Sequence, residues 1–455
     1  MQIVTENFQA LMLILSLVGC GLLAFFYKEQ TAIAEKKTSD DVLIQRRIDV
    51  LRGKGGVIKL EAKTYIVRRA IVIYDNVTIE GAGMDKTTIR LADNANPFTS
   101  FEDKPVLADT RMPFVNRCII RNENYDEQET PQGNHDITIR NLTIDGNAAN
   151  NITCGEGILL PNCYNYRIEN VRVKNCRGFA GIYTNPCHLA AREKVRYQNY
   201  ILNCIVEEQQ LATDRDAPYG HGFYVTAWDN DNVLLKGCIA RNNKGAGIHG
   251  EDFISYLFVE ENETYKNGGS GIWFCEVRNS IIKKNKSYQN DGDGIALSQG
   301  KGNQNNLVYE NDVYHNGNHG ISLARQYDAG DSFCSILNNR VWNNESAGIF
   351  VADSAGRNTV GFNFCYDNRN TNDHRQQYGI VVDSKGNSII NNYVAGNAKE
   401  AIKAAEGNTV LEWESNIPLT PETLVGTYGF GAPEAQRLPE EEPSKIVRVS
   451  SIEVS

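Results

Sequence analysis

A short phrase with alternating apolar residues recurs along most of the chain. It reads glycine, then isoleucine or phenylalanine, then a variable residue, then usually a second apolar residue. The phrase begins at Gly157, Gly181, Gly222, Gly247, Gly271, Gly294, Gly320, Gly348 and Gly379. Successive glycines are 24, 41, 25, 24, 23, 26, 28 and 31 residues apart. Because alternation is the period of a β-strand, each phrase predicts a short strand whose variable residue faces solvent.

A second apolar phrase falls between the first ones and ends in asparagine. It reads LFVEENETYKN at 257–267, SIIKKNKSYQN at 280–290 and NLVYENDVYHN at 306–316, and it continues to NSIINNYVAGN at 387–397. Asparagine favours tight turns. Units of this size cannot bury an inner face alone, whereas stacked units close a continuous core. We therefore predict an all-β protein, a right-handed parallel β-helix.

The two ends of the chain depart from the repeat. We predict an N-terminal hydrophobic anchor or signal segment at 1–37, the β-helix domain at 38–414 and a polar C-terminal tail rich in proline and glutamate at 415–455. Between Thr38 and Gly56 the pattern predicts an amphipathic helix whose apolar face carries Leu43, Ile44, Ile48 and Leu51. Such a helix would cap the open first coil.

Residues 8–27 form an uncharged stretch long enough to span a bilayer as a helix. It is an uncleaved membrane anchor, a signal peptide cleaved after Ala34, or a lipoprotein signal ending at Cys20. The nearest lysines all follow this stretch, which under the positive-inside rule places the following domain in the cytoplasm. A role on polysaccharides favours the opposite side. We expect a membrane-anchored or secreted protein on the extracytoplasmic side.

Charge and cysteine spacing exclude some functions. The net charge is −10 and no block of lysine and arginine occurs, which argues against a nucleic-acid partner. The 11 cysteines lack the CxxC spacing of metal sites. Similar phrases end at Cys176, Cys204 and Cys238, which predicts a column of buried thiols on successive coils rather than disulfides.

The variable residues of the first phrase form a column on one wall of the predicted β-helix. In order they are Leu159, Tyr183, Tyr224, His249, Trp273, Ala296, Ser322, Phe350 and Val381. The aromatic members concentrate between 183 and 273, where sugar rings could stack on them. The alternative is that these rings cover neighbouring coils.

The one long spacing, from Gly181 to Gly222, falls in the same stretch and carries many charges. Long excursions from a solenoid commonly build its binding site. We expect it to bring charged and aromatic residues towards Tyr224, His249, Glu251 and Asp252, namely His188, Arg192, Lys194, Arg196, Asp214, Arg215, Asp216, Tyr219 and His221.

These residue types fit removal of the C5 proton of a uronic acid. The reaction needs a base, for which His221 or His249 is a candidate, and an acid, for which Tyr219 or Tyr224 is a candidate. A cation such as Arg215 would stabilise the charge that develops on the carboxylate. Reprotonation from the other face gives epimerisation, and loss of the C4 group gives a lyase. We assign substrate binding to Tyr183, His188, Arg192, Lys194, Asp214, Asp216, Glu251, Asp252 and Trp273, although any one of the histidines could be purely structural.

A second constellation fits hydrolysis of a glycoside. Asp291 and Asp293 precede one phrase and His319 precedes the next. Two carboxylates beside a histidine could act as acid and base. We favour C5-proton abstraction over hydrolysis.

Several phrases resemble a known superfamily of β-helices. GKGGVIKLEAKTYIV near the start, HDITIRNLTIDGN at 135–147, and NNKGAGI, NGGSGIWF and NDGDGIAL are similar to phrases of mannuronan C5-epimerases and related alginate-active members of the pectate-lyase-like superfamily. The resemblance implies a polyuronate substrate and lyase or epimerase activity. The epimerase motif Tyr-Gly-Phe-Asp-Pro-His survives only in fragments at 219–223. No acidic run of the calcium-binding type stands out, so the residues dictate no cofactor and Ca²⁺ stays open.

Two classes of function therefore compete. One is an enzyme that modifies a polysaccharide in the region 183–252. The other is a non-catalytic β-helix that binds glycan or serves as a surface scaffold on the same wall. The long charged excursion favours the enzyme, and the fragmentary motif favours the scaffold.

Overall fold

A computed structural model describes residues 39–95, 118–125, 132–151, 154–185, 198–211, 219–226, 232–298, 303–324, 332–369 and 375–411. These residues form one helix and 37 strands, and every strand pairing among them is parallel. Each coil contributes a strand to each of three walls, and strands of successive coils pair in register. The predicted all-β parallel β-helix is confirmed.

Wall 1 and wall 2 together form a 23-stranded sheet, because two long strands, β8 and β11, run through the corner between them. Wall 1 contains β1 (Gly56–Lys59), β4 (Val77–Glu80), the first halves of β8 (Thr138–Asp145) and β11 (Arg167–Lys174), β13 (Asn199–Leu202), β16 (Val233–Lys236), β19 (Leu257–Glu260), β22 (Ile281–Lys283), β25 (Leu307–Tyr309), β28 (Ser335–Leu337), β31 (Thr359–Gly361), β34 (Ser388–Ile390) and β37 (Thr409–Leu411). Wall 2 contains β2 (Thr64–Val67), β5 (Thr88–Leu91), the second halves of β8 and β11, β14 (Ile205–Glu207), β17 (Ile239–Arg241), β20 (Glu263–Tyr265), β23 (Lys286–Tyr288), β26 (Asp312–Tyr314), β29 (Arg340–Trp342), β32 (Phe364–Tyr366) and β35 (Tyr393–Ala395).

Wall 3 is a 12-stranded sheet, and nine of its strands carry the glycine phrases of the sequence. It contains β3 (Ile71–Ile73), β6 (Ile120–Asn122), β9 (Ile158–Pro161), β12 (Ala180–Asn185), β15 (His221–Thr226), β18 (Ile248–Glu251), β21 (Ile272–Phe274), β24 (Ile295–Ser298), β27 (Ile321–Ala324), β30 (Ala347–Val351), β33 (Tyr378–Val382) and β36 (Glu400–Ala404). The short strands β7 (Asn134–His135) and β10 (Cys163–Tyr164) pair with each other beside the walls. The phrase isoleucines pair in register and are fully buried, as in the row Ile248, Ile272 and Ile295. They fill the core as the alternation predicts.

Ladders of buried asparagine hold the corners between walls. Asn285 donates its backbone N–H and its side-chain amide to Oδ1 of Asn311, at 2.9 and 3.0 Å. Asn311 makes the same pair of bonds to Asn339 at 3.0 and 2.9 Å, and its amide also reaches the carbonyl of Ile282. Each side chain thus satisfies backbone groups that the turn leaves without a strand partner.

The corner between walls 1 and 2 also holds part of the predicted cysteine column. Cys204 and Cys238 lie there on successive coils, with the Cys204 N–H pointing to the Cys238 sulfur. Cys176 does not join them, so that part of the prediction is wrong. Because β11 runs straight through this corner, Cys176 follows wall 2 and lies at the next corner. The nine cysteines among the described residues are buried, and none of them forms a disulfide.

Helix α1 (Asp40–Asp49) covers the first coil, as predicted, but it is shorter than the sequence pattern indicated. Ile44 and Ile48 bury their side chains against that coil. Gln45 accepts from the N–H of Val72 at 2.8 Å and donates to its carbonyl at 3.0 Å. Asp40 accepts from the N–H of Ile66 at 2.8 Å. Polar helix side chains therefore replace the strand that the edges of β2 and β3 lack.

The predicted N-terminal segment 8–27 and the predicted tail 415–455 lie outside the described residues. Within the ranges that the structure covers, no helix is long and apolar enough to cross a membrane. The domain boundaries at 37 and 414 stay predictions.

Candidate functional site

The variable column of wall 3 forms as predicted, but most of it is buried. Tyr183 pairs with Tyr224, Tyr224 with His249, and His249 with Trp273. Tyr183 and Tyr224 are 8% exposed and His249 is 1% exposed, whereas Trp273 is partly exposed. The expectation of a solvent-facing aromatic floor is therefore wrong for the first three.

Aromatic residues next to the phrase glycines explain this burial. Phe179 stacks on Tyr224 at 6.0 Å and on Tyr219 at 5.0 Å between ring centroids. Tyr219 in turn stacks on His221 at 5.3 Å. Phe179 and Tyr219 thus lie over the column. For Tyr183 and Tyr224 the alternative interpretation therefore holds, in which the aromatic rings pack against neighbouring coils instead of facing solvent.

Two buried histidines occupy the centre of this cluster. The backbone N–H of Ala246 donates to Nδ1 of His221 at 2.8 Å, and Nε2 of His221 lies 3.1 Å from Nδ1 of His249. Trp273 stacks flat on His249 at 4.1 Å between centroids. Gly245 permits the arrangement, because a Cβ there would lie 2.6 Å from Nδ1 of His221 and 2.1 Å from the Tyr219 carbonyl oxygen.

Burial keeps both histidines neutral at neutral pH. It lowers the pKa of His221 to about 3. Burial first, and the neighbouring His221 second, hold the pKa of His249 well below its usual range. Neither side chain gains a proton until the solution is strongly acidic.

A carboxylate lies beside the histidine pair at the end of β18. Oε2 of Glu251 accepts a hydrogen bond from the Tyr224 hydroxyl and lies 3.8 Å from Nε2 of His249. The Glu251 side chain keeps 31% of its surface exposed. Burial raises the pKa of Glu251, and the adjacent Asp252 raises it further. Burial also raises the pKa of Tyr224, so this phenol stays protonated.

A cleft of about 370 Å³ adjoins His221, along the corner that leads into wall 3. It is lined by Tyr219, His221, Lys244, Gly245, Ala246, Gly268, Gly269, Ser270, Trp273, Gly292, Asp293, Ala296 and Ser298. The Trp273 indole N–H donates to Oγ of Ser298 at 3.0 Å, which fixes this ring in the wall of the cleft.

Lys244 is the residue that sequence reasoning missed. It is exposed at the cleft, and the structure gives it no carboxylate partner among the described residues. The sequence contains a signal for this residue, because Lys244 occupies a turn position where later coils carry glycine or aspartate, namely Gly268, Asp291 and Gly317. A single lysine in a turn resembles an ordinary solvated charge.

The second constellation does not form a pair of catalytic carboxylates. Asp293 lines the cleft, but its carboxylate accepts from the Asn318 amide at 2.8 Å, the His319 N–H at 3.0 Å and the Ser322 hydroxyl. Asp291 is exposed and does not line the cleft. His319 stacks on Phe350 at 4.5 Å. These residues order a turn.

Of the predicted site residues, the structure brings together Tyr183, Tyr219, His221, Tyr224, His249, Glu251, Asp252 and Trp273. The others lie outside the described residues, namely His188, Arg192, Lys194, Arg196, Asp214, Arg215 and Asp216. No group of three or more histidine, cysteine, aspartate or glutamate side chains in the described ranges could hold a metal ion, so no ligand set for Ca²⁺ is found there.

Comparison with known proteins gives one curated relative and several structures of the same shape. Mannuronan C5-epimerase AlgE6 of Azotobacter vinelandii is 26% identical over 229 residues, which are 46% of this chain and 23% of that protein. The chain thus spans less than a quarter of that relative's length. The A-module of Azotobacter vinelandii mannuronan C-5 epimerase AlgE4 superposes with a TM-score of 0.55 and 17% identity, covering 84% of this chain and 96% of that one. The catalytic domain of a GH87 α-1,3-glucanase superposes with a TM-score of 0.57 and 14% identity, covering 84% and 67%.

At these identities the two structures show the fold alone. The family profile described as right handed beta helix region matches residues 65–252, 198–326 and 255–394, which overlap and together take in most of the chain. The chain belongs to the right-handed β-helix family.

Proposed function

We propose that this protein acts on a uronic-acid-containing polysaccharide at the outer face of wall 3, by abstraction of the C5 proton, as a lyase or a C5-epimerase. One observation carries the proposal. A cleft lined by two aromatic rings, glycine turns and a lysine that has no carboxylate partner among the described residues adjoins two buried histidines, a buried tyrosine and the partly exposed Glu251.

The cleft has the composition that a charged glycan needs. Glycine turns at 245, 268–269 and 292 leave the backbone open to close approach of a sugar ring. Trp273 and Tyr219 add aromatic surface, and a few polar groups fix orientation. Lys244 provides positive charge for a carboxylate on a protein whose net charge is −10.

The curated relative supports the same chemistry, because its name is that of a mannuronan C5-epimerase. In such a step the C5–H bond breaks and its electron pair moves into the adjoining carboxylate, where a cation stabilises it. Because polysaccharides of this kind lie mostly outside the cytoplasm, we also propose an extracytoplasmic location.

The second candidate is a non-catalytic glycan-binding scaffold. The burial of His221 and His249 favours it, since a base must reach the proton that it removes. Hydrolysis receives no comparable support, because the Asp293 carboxylate is engaged in three hydrogen bonds and Asp291 does not line the cleft.

The test is to mix the full chain with a panel of polyuronates and neutral glycans, with and without calcium, and to follow each mixture by proton NMR. We expect either new vinyl signals, which indicate a lyase, or altered anomeric signals without chain shortening, which indicate an epimerase. New reducing ends would indicate a hydrolase. Line broadening with no chemical change in any mixture would support the scaffold and refute the enzyme.

A matched pair of variants tests the cleft. Lys244→Gln should weaken binding of the active polyuronate about ten-fold, because it removes a charge-assisted contact. Lys59→Gln serves as the control, since Lys59 is an exposed lysine on wall 1. Equal affinity of both variants and the unaltered protein would place the glycan elsewhere.

A further inference from the structure

The hydrogen bonds through the two histidines run in one direction. The Ala246 N–H is a donor, so Nδ1 of His221 is an acceptor and carries no hydrogen. Neutral His221 therefore carries its hydrogen on Nε2 and donates it to Nδ1 of His249. His249 in turn carries its hydrogen on Nε2. A backbone amide thus sets the tautomer of both rings.

Neither ring then offers a lone pair to a substrate. Both nitrogens of His221 are engaged, and the only remaining group of His249 is a donor. Nε2 of His249 has no hydrogen-bond partner in the described part of the chain, although it is fully buried. A buried donor without a partner lowers the stability of a protein by roughly 1–3 kcal/mol. We therefore expect an acceptor that the Nε2–H group of His249 could serve.

The acceptor nearest to this donor is the Glu251 carboxylate. Oε2 of Glu251 lies 3.8 Å from Nε2 of His249, and a shift of about 1 Å would bring the two within hydrogen-bond distance. Oε2 also accepts from the Tyr224 hydroxyl. The Glu251 side chain is partly exposed, whereas His221 and His249 are buried, so Glu251 is the member of this group that a substrate can reach.

We propose that Glu251 accepts the C5 proton, and that His221 and His249 are positioning residues whose fixed N–H direction orients the Glu251 carboxylate. This inference rests on the proposed function. In the step, the C5–H bond of the uronate breaks, the proton passes to a Glu251 oxygen, and the electron pair moves into the sugar carboxylate. The product of the step is a protonated Glu251 and a bound enolate.

Four other groups at the site are poor acceptors for this proton. Burial raises the pKa of both Tyr219 and Tyr224, so neither phenol forms a phenolate at neutral pH. The Asp293 carboxylate already accepts three hydrogen bonds. Lys244 carries a charge of the wrong sign for a base but the right sign for binding the sugar carboxylate.

Glu251 also has the surroundings of a tuned base. The titratable groups that face it are Tyr224, His249, Asp252, Cys275 and Glu276. Burial and the two acidic neighbours raise its pKa, whereas the bonds from Tyr224 and Cys275 lower it. Activity should therefore fall as the pH drops through the raised pKa of Glu251.

The experiment measures exchange of the C5 proton for deuterium from D₂O on the polyuronate that the full chain processes. Glu251→Gln should slow exchange about 100-fold or more, since it removes the base. His249→Gln keeps a donor where Nε2 stands but cannot act as a base, so it should stay within about ten-fold of the unaltered protein. His249→Leu removes the donor and should move the acid limb of the pH–rate profile to higher pH. A merely structural role would not move this limb.

A second measurement does not depend on activity. Long-range ¹H–¹⁵N NMR reports which nitrogen of each imidazole carries the hydrogen. We expect both His221 and His249 as neutral Nε2–H tautomers between pH 5 and 8. A lone pair on Nε2 of His249, or an imidazolium at pH 7, would overturn the inference.

The outcomes separate the two proposals. Inactivity of the unaltered protein on every polysaccharide overturns the proposed function and the role of Glu251 with it. An active unaltered protein with rapid exchange in Glu251→Gln overturns the role of Glu251 alone. Loss of exchange in His249→Gln, with normal circular dichroism, would make His249 the base and would also overturn the role of Glu251 alone.

Discussion

Acid should destabilise this protein through its buried histidines, and His221 allows the size of the effect to be calculated. Its pKa falls from an ordinary value of 6.5 to about 3 in the folded protein, because the charged imidazolium would be buried. Between these two values the unfolded chain binds a proton that the folded protein does not. Stability is therefore complete above pH 6.5 and is lost as the pH falls towards 3.

The magnitude follows from linkage. Each unit of pKa difference is worth about 1.4 kcal/mol when fully expressed. At about pH 5, roughly 1.5 of these units are expressed, so His221 alone lowers the free energy of unfolding by about 2 kcal/mol relative to pH 7.5. His249, whose pKa is also lowered, should add to this loss.

The assay is urea unfolding at about pH 7.5 and pH 5.0, followed by circular dichroism, for the unaltered chain and for His221→Gln. Glutamine does not titrate, so the variant should lose about 2 kcal/mol less between the two pH values. Equal pH dependence in both proteins would refute the reasoning, because it would mean that His221 titrates normally when folded.

Three further predictions concern stability and binding. Asn311→Ala should lower the free energy of unfolding by about 3 kcal/mol, because the Asn285 N–H and the Ile282 carbonyl lose their partners. In the same urea titration, replacement of an exposed asparagine in Asn318→Ala should lower it by less than about 1 kcal/mol. Gln45→Ala should cost about 2 kcal/mol by leaving both backbone groups of Val72 unpaired, and exposed Arg46→Ala should change stability by less than about 0.5 kcal/mol. Trp273→Ala should weaken polyuronate binding about ten-fold in calorimetry, whereas Trp342→Ala, on the outer face of wall 2, should leave it unchanged.

The fold could be predicted because every coil repeats the same alternation of apolar and polar residues. The alternation in each phrase fixes which residues turn inward, and a slip by one residue would expose Ile248 and its equivalents. The error at Cys176 shows the limit of this reasoning. Similar phrases can end at different corners, because β11 passes through a corner without turning.

The location of the site could also be predicted, since equal positions in successive units must stack. Tyr224, His249 and Trp273 are neighbours for this reason. Their burial could not be predicted, because alternation assigns a residue to the outer face without saying what lies over it. The covering rings lie outside the repeated pattern, since Phe179 stands two residues before Gly181 and Tyr219 three residues before Gly222.

The direction of the hydrogen bonds was beyond reach of the sequence as well. It depends on the 2.8 Å contact between the Ala246 N–H and His221, a backbone group that any residue except proline would supply at position 246. From the sequence alone, both histidines are therefore candidate bases. The geometry instead favours a role as donors, and it directs attention to Glu251, which the sequence suggested only as a binding residue.

Burial of polar groups on an outer wall needs a physical reason, because solvated polar side chains would cost nothing there. Two imidazoles and a tyrosine hydroxyl give up water, and their hydrogen bonds offset that cost only where partners are fixed. The result is an ordered polar row near the exposed Lys244 at the cleft and the partly exposed Glu251 at the end of β18. A glycan cannot reach the row itself, so it must touch the wall through these two ends. We propose that Lys244 binds a carboxylate of the polymer and that Glu251, supported by the row, accepts the proton, so the row is better understood as support for a reaction than as a binding floor.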